Sequence, residues 1–182
     1  MNTLLPTVDN SLLLVIDVQE KLRPVVYEQQ KIIQNIQVLM QGAMVLGLDM
    51  LLTEQYPKGL GHTIPELSYT TNTPVFEKEC FSCLLQESIK THVEQAGKNH
   101  LILCGVESHI CVLKTALDAV AQGYTVHVVA DAVSSRTSEN KALALERMRQ
   151  AGVLIVSLEM ILFMLIDRAG TAEFKAISKL IK

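Results

Sequence analysis

Short, almost wholly apolar segments recur along the chain and restrict it to few folds. They cover residues 12–16, 50–53, 101–106, 125–130 and 153–157, with a weaker one at 75–76. Strands are apolar at nearly every position when helices cover both faces of a parallel sheet. The pattern therefore predicts a buried, mostly parallel sheet.

The stretches between these segments have helical periodicity. Apolar residues recur at three- and four-residue steps from Ile32 to Ala43 and from Leu143 to Met148. Glycines stand just before several strands, where a helix should end: Gly47, Gly97, Gly123 and Gly152. This alternation predicts an α/β class, a three-layer Rossmann-like fold with helices on both faces of the sheet. Without a repeat or a linker, residues 1–182 are expected to form one domain.

Composition excludes several classes of protein. Hydrophobic residues make up 49% of the chain and charged residues 19%, which excludes a disordered chain. A net charge of −3 argues against nucleic acid as a partner, and the apolar runs are too short to span a membrane. Four cysteines without a signal peptide predict reduced thiols and a cytoplasmic location.

Three side chains with useful chemistry stand at or just after predicted strand ends: Asp17, Lys78 and Cys111. Parallel strands end at one edge of a sheet, so the three could converge. Each also has an ordinary interpretation. An aspartate after a strand often caps a helix, a loop lysine is usually solvated, and a cysteine in apolar surroundings is usually a buried filler.

Cys111 follows a glycine-containing turn and is predicted to open a helix, where free N–H groups and the helix dipole favour a thiolate. Shifting the ionisation equilibrium of the Cys111 thiol a hundredfold toward the thiolate requires about 2.7 kcal/mol. A helix terminus supplies about 0.3–1 kcal/mol. A cation such as Lys78 and a base such as Asp17 would supply the rest, so the trio is chemically complete where one member is not.

At these residues the chain resembles the isochorismatase-like cysteine hydrolase superfamily, which includes nicotinamidases. The resemblance covers nearly the whole chain and rests on residues 13–19, Lys78 with the following Phe81 and Ser82, residues 105–112, and residues 129–136. It implies a catalytic triad of Asp17, Lys78 and Cys111. It also implies an oxyanion hole made by the backbone N–H groups of Glu107 and Cys111, beside a cis peptide between Val106 and Glu107.

Departures from the family pattern bear on the ligand. Metal-dependent nicotinamidases place an aspartate and a histidine after the second strand, where this chain has Gln55 and Pro57, with His62 as the only nearby imidazole. We therefore expect no metal and no cofactor, and nicotinamide is disfavoured. The residues expected to contact a small-molecule substrate are Gln19, Glu54, Gln55, Tyr56, Phe81 and His109. Alternatively, Tyr56 and Phe81 simply pack the proline- and glycine-rich segment 55–74, a candidate pocket wall or lid.

Two further cysteine signals are weaker. Cys80 and Cys83 match a C-x-x-C pattern, which indicates a redox pair or half a zinc site, but no second such pair accompanies them. Coincidental local packing is the favoured interpretation. Cys104 lies inside an apolar strand and should be inert.

The leading hypothesis is hydrolysis of an amide-type C–N bond through a thioester on Cys111. Two alternatives stay open: vinyl-ether hydrolysis of the isochorismate type, with Asp17 as the acid, and a non-catalytic binding or scaffold protein of the same fold. Residues 158–166 are apolar nearly all round, which predicts a subunit interface and hence a homo-oligomer.

Overall fold

The computed structural model describes residues 5–67 and 73–182 and has the predicted α/β architecture. Within those residues, six strands form one parallel sheet in the order β3-β2-β1-β4-β5-β6. The strands are β1 (Ser11–Ile16), β2 (Asp49–Gln55), β3 (Val75–Lys78), β4 (His100–Val106), β5 (Thr125–Ser134) and β6 (Leu154–Val156). The sheet is all-parallel, and the predicted fold class is confirmed.

Helices cover both faces of this sheet. They are α1 (Gln29–Leu46), α2 (Pro57–Leu60), α3 (Glu87–Ala96), α4 (Leu113–Ala121), α5 (Ser138–Gln150), α6 (Leu158–Met164) and α7 (Ala172–Leu180). Successive residues of a strand point to opposite faces, so Leu13 and Val15 pack with α1, α6 and α7, while Leu12 and Leu14 pack with α3, α4 and α5. This two-sided burial explains the uninterrupted apolar runs. None of the helices in the described ranges has the length and hydrophobicity needed to cross a membrane.

The segment after β2 is more ordered than a simple loop. It contains α2 and a 3₁₀ turn at Pro65–Leu67, and Gln19 forms an isolated antiparallel bridge with Thr63. Proline and glycine content alone does not reveal such long-range pairing. Residues 68–72 of the predicted wall or lid lie outside the described residues.

Most apolar side chains of α6 are covered by other parts of the same chain. Phe163 contacts Phe174 of α7 with ring centroids 6.1 Å apart, and Ile161, Leu162 and Ile177 are fully buried. Met160 is left half-exposed. Because α7 supplies this cover, α6 does not by itself support the predicted subunit interface.

Candidate active site

Asp17, Lys78 and Cys111 meet at the carboxyl edge of the sheet. Lys78 Nζ donates a 2.6 Å hydrogen bond to Asp17 Oδ2, and neither side chain is exposed to solvent. The Cys111 thiol lies beside this ion pair, close enough for the charges of both Asp17 and Lys78 to act on it. The structure thus brings together three residues that lie far apart in the sequence.

A different strand positions each of the three. Asp17 directly follows β1 with a left-handed backbone, φ 53°, which turns the chain away from the sheet. Lys78 is the last residue of β3. Cys111 lies inside a π-helical turn, Ser108–Val112, between β4 and α4. The prediction that Cys111 opens a helix was therefore wrong, because helical backbone begins at Ser108.

Gly105 allows β4 to approach β1 beside the site. Its φ is 108°, and a Cβ atom there would overlap the backbone of Ile16. Only glycine combines that conformation with so close an approach. This residue therefore sets the spacing between the strand that precedes Asp17 and the strand that leads to Cys111.

The surroundings favour a charged Lys78 and a neutral Cys111. Burial opposes the charge on Lys78, but Asp17 together with Cys83 and Cys111 outweighs it, so the pKa of Lys78 lies above its ordinary value. Burial and the same carboxylate raise the pKa of Cys111, and Lys78 offsets only part of that rise. Burial at this position therefore opposes the stabilisation of the thiolate that was expected from Lys78 and a helix terminus. These surroundings favour the thiol form, so the predicted base Asp17 would have to remove its proton.

Gln55 lies against two of the three groups, Lys78 and Cys111. Its Oε1 accepts a 2.7 Å hydrogen bond from Lys78 Nζ and lies 4.0 Å from Cys111 Sγ. Its Nε2 donates to the carbonyl oxygen of Glu79 at 2.8 Å. The amide is thus held in one orientation, with its oxygen toward the lysine and the thiol.

Thr53 is a site residue that the sequence interpretation missed. Its Oγ1 donates to Asp17 Oδ1 at 2.7 Å, and the residue is only 1% exposed. Threonine is common in strands, so nothing in the pattern of β2 distinguishes this one. Together with Lys78 on Oδ2, it engages both oxygens of the carboxylate.

Gln19 and Glu54, two of the predicted substrate contacts, form hydrogen bonds that hold the segment after β2. The fully buried Gln19 amide donates to the Gln55 carbonyl at 3.0 Å and accepts from the Gln55 N–H at 2.8 Å. The Glu54 carboxylate accepts from the Thr63 N–H at 2.6 Å and lies 2.9 Å from His62 Nδ1. Their polar atoms already have partners inside the protein, and their contact with substrate stays a prediction.

Tyr56, Phe81 and His109 are accessible enough to contact a ligand. Tyr56 and Phe81 are each about half-exposed, and Lys114 Nζ lies over the Phe81 ring, 5.6 Å from its centroid. His109 is half-buried, with Nδ1 3.0 Å from Ser135 Oγ. Their contact with substrate remains a prediction.

The turn before Cys111 is held by an ion pair. The bond between Val106 and Glu107 is cis. The nearly buried Glu107 carboxylate accepts from Arg136 through Nε at 2.7 Å and Nη2 at 3.3 Å. A two-point guanidinium contact restricts orientation better than a single bond. The turn that carries the N–H groups of Glu107 and Cys111 is therefore tied to the end of β5.

The C-x-x-C pattern has the features of local packing. Cys80, Cys83, Cys104 and Cys111 are all free thiols. Cys83 is fully buried, and burial raises its pKa to about 11. Such a thiol is a poor redox nucleophile. Cys104 is likewise buried, and burial raises its pKa strongly.

A metal-binding cluster is also lacking among the residues that the structure describes. No group of three or more His, Cys, Asp and Glu side chains there could hold a metal ion. The His62 ring, close to Glu54, keeps its pKa above the ordinary value through that carboxylate. The His62 side chain thus has a partner in the Glu54 carboxylate, with which it forms an ion pair.

Comparison with known proteins identifies the family. The model of the isochorismatase domain matches residues 11–160, which include every strand and all the site residues above. The chain belongs to the isochorismatase family. Within this family, a secreted isochorismatase effector from Phytophthora sojae is 42% identical over 179 residues, covering 95% of this chain and 85% of that protein.

Solved structures agree with that assignment. A MAR1 ribonuclease from Caenorhabditis elegans is 38% identical, with a TM-score of 0.90 over 97% of this chain and 91% of its own. The YcaC gene product of Escherichia coli, described as an octameric hydrolase of unknown specificity, is 25% identical with a TM-score of 0.91, covering 99% of this chain and 92% of its own. This protein therefore has an isochorismatase-family hydrolase fold.

Proposed function

We propose that this isochorismatase-family protein is a cysteine hydrolase that cleaves an amide-type C–N bond of a small molecule. The main support is the buried ion pair between Lys78 and Asp17, 2.6 Å apart, whose charges act on the nearby Cys111 thiol. A nucleophile, a base and a fixed cation are thus held together away from water, which is the arrangement that covalent catalysis requires.

Asp17 begins the reaction by taking the proton of the Cys111 thiol as sulfur attacks the carbonyl carbon. The carbonyl oxygen becomes negative and accepts hydrogen bonds from the N–H groups of Glu107 and Cys111, while Lys78 stabilises the added charge. Asp17 then gives its proton to the leaving nitrogen, the C–N bond breaks, and a thioester remains. Asp17 next takes a proton from water, which attacks the thioester. The acid leaves and the thiol recovers its proton.

The proposal needs neither a metal nor a cofactor. Gln55, Tyr56, Phe81 and His109 are the side chains proposed to contact the substrate. Of these, Gln55 already faces both Lys78 and Cys111.

The test is a screen of small carboxamides, ureides and isochorismate against wild type and Cys111→Ala, with Cys104→Ala as a matched control at a buried cysteine of β4. Cys111→Ala should lose turnover while its melting temperature stays close to that of the control. Mass spectrometry of quenched wild-type reactions should find the acyl group on Cys111. Full activity in Cys111→Ala would refute the nucleophile assignment.

The same screen separates the alternatives. Hydrolysis of isochorismate that survives in Cys111→Ala but not in Asp17→Asn would indicate vinyl-ether chemistry. The relative described as a ribonuclease justifies adding a short RNA, although a net charge of −3 is unfavourable for binding phosphates. Failure of wild type on every compound, with no adduct, would favour a non-catalytic protein.

Homo-oligomerisation and a cytoplasmic location remain proposals. The first is supported by the octameric relative from Escherichia coli, and light scattering of the purified protein tests it. The second is supported by four free thiols, whereas the relative from Phytophthora sojae is described as secreted. Fractionation of the native host distinguishes the two locations.

A further inference from the structure

A single hydroxyl group supports the carboxylate that the mechanism uses as its base. Thr53 Oγ1 lies 2.7 Å from Asp17 Oδ1. An ionised carboxylate only accepts hydrogen bonds, so the one proton of the hydroxyl must point to Asp17. Lys78 occupies the other oxygen at 2.6 Å. Both oxygens are therefore held, one by a donor from the neighbouring strand β2 and the other by a donor from β3, the next strand in the sheet.

Thr53 also holds the backbone of the same residue. It pairs with Ile16 in the sheet, and its carbonyl oxygen accepts from the N–H of Asp17 at 3.1 Å. Thr53 is 1% exposed and Asp17 is 0% exposed, so water does not replace either bond. Contacts at both the backbone and the side chain fix the position and the plane of the carboxylate.

The other groups around this carboxylate cannot take over that role. Within the part of the chain that the structure describes, the titratable side chains that interact with it are Lys78, Cys83 and Cys111. Lys78 is already bonded to Oδ2, and Cys111 supplies the proton that Asp17 is to receive. Cys83 stays a neutral thiol, a weak donor. The hydroxyl of Thr53 is thus the neutral strong donor at Oδ1.

We propose that Thr53 is a positioning residue for the base Asp17, and that its hydroxyl aligns the carboxylate for proton transfer with Cys111. This inference rests on the proposed function. The orientation of the base would then be set by β2, which lies between the strands of Asp17 and Lys78 in the sheet.

The test follows acylation of Cys111 by para-nitrophenyl acetate, a chromogenic acyl donor, in the full-length protein. Thr53→Val keeps the shape of the side chain but removes the hydroxyl, and Thr53→Ser keeps the hydroxyl. Thr115→Val is the matched control, since Thr115 is also fully buried but its hydroxyl accepts from the Cys83 N–H at 3.0 Å. Each variant is compared with wild type for maximal rate, half-saturating concentration and melting temperature.

Thr53→Val should lower the maximal acylation rate by about 10- to 100-fold, the loss of one hydrogen bond to a charged group, with little change in half-saturating concentration. Thr53→Ser should recover most of that rate, and Thr115→Val should keep it. Should Thr53→Val not fold, Thr53→Ala compared with Thr53→Ser measures the same effect.

A wild-type rate in Thr53→Val, or a serine variant as slow as the valine variant, would overturn the inference, because the hydroxyl would then not matter. Failure of the proposed function has a different result: acylation that continues unchanged in Cys111→Ala. The two failures are therefore distinguishable in one set of measurements.

Discussion

Removing the cation from the buried ion pair gives the sharpest test of how the site is held together. Lys78→Met keeps most of the side-chain volume but leaves the Asp17 carboxylate without its 2.6 Å partner, in a place where both side chains are 0% exposed. Breaking a buried pair by removing one partner costs about 3–5 kcal/mol. At about 2–4 °C per kcal/mol for a domain of this size, the melting temperature should fall by about 6–20 °C.

The assay is a double-mutant cycle in urea with Lys78→Met, Asp17→Asn and the double variant. The double variant should be clearly more stable than Lys78→Met, because it no longer buries an unpaired charge. Lys90→Met is the control, since Lys90 forms an exposed ion pair with Glu94 at 3.9 Å. Removing this pair should lower the free energy of unfolding by less than about 1 kcal/mol.

Two results would refute this reasoning. One is a loss of stability in Lys78→Met as small as that in Lys90→Met, which would mean that the Asp17 carboxylate is not left buried without a partner. The other is a double variant whose loss equals the sum of the single losses, since the two groups would then not interact.

Two further outcomes concern pH and packing. Burial holds the pKa of His127 at about 4, whereas an unfolded chain takes up this proton below about 6.5; the free energy of unfolding should therefore fall by up to about 3 kcal/mol between pH 6.5 and 4. Urea titrations should show a shallower loss in His127→Gln. His62→Gln should show a steeper loss, because Glu54 favours the charged form of that ring in the folded protein; equal slopes in wild type and both variants would contradict the assignment. Gly105→Ala should cost about 3 kcal/mol or more through overlap with the Ile16 backbone, or prevent folding. Gly47→Ala, with φ 71° and nothing within 4 Å, should cost about 1 kcal/mol, and similar melting temperatures for the two variants would show that the close approach is unimportant.

The fold was predictable because it follows from local pattern. Uninterrupted apolar runs indicate strands buried on both faces, and Gly47 and Gly97 mark the ends of α1 and α3. Strand limits were less accurate, since β5 extends to Ser134 and β3 includes Lys78. These extra residues are polar or charged and pair only because neighbouring strands are present.

The site was predictable only in part, because polar residues acquire their roles from long-range contacts. Gln19 and Glu54 have the chemistry of ligand contacts, but the fold turns their polar atoms toward its own backbone. Thr53 shows the reverse case: an ordinary strand residue whose hydroxyl meets Asp17 across 36 positions of sequence. The raised pKa of the Cys111 thiol likewise depends on burial, which no local motif shows.

The strand order has a consequence for how the protein can be divided. Strands β1 to β3 form one half of the sheet and β4 to β6 the other, and within the sheet the halves meet only where β1 pairs with β4. Asp17 and Lys78 belong to the first half and Cys111 to the second. A cut near Gly97, after α3, would therefore separate Asp17 and Lys78 from Cys111 along this strand seam and along the face where α1 packs with α6 and α7. Neither fragment would contain a complete site, and reassociation of the two would be needed to restore it, which makes this seam the natural place to split the protein into a pair of complementing fragments.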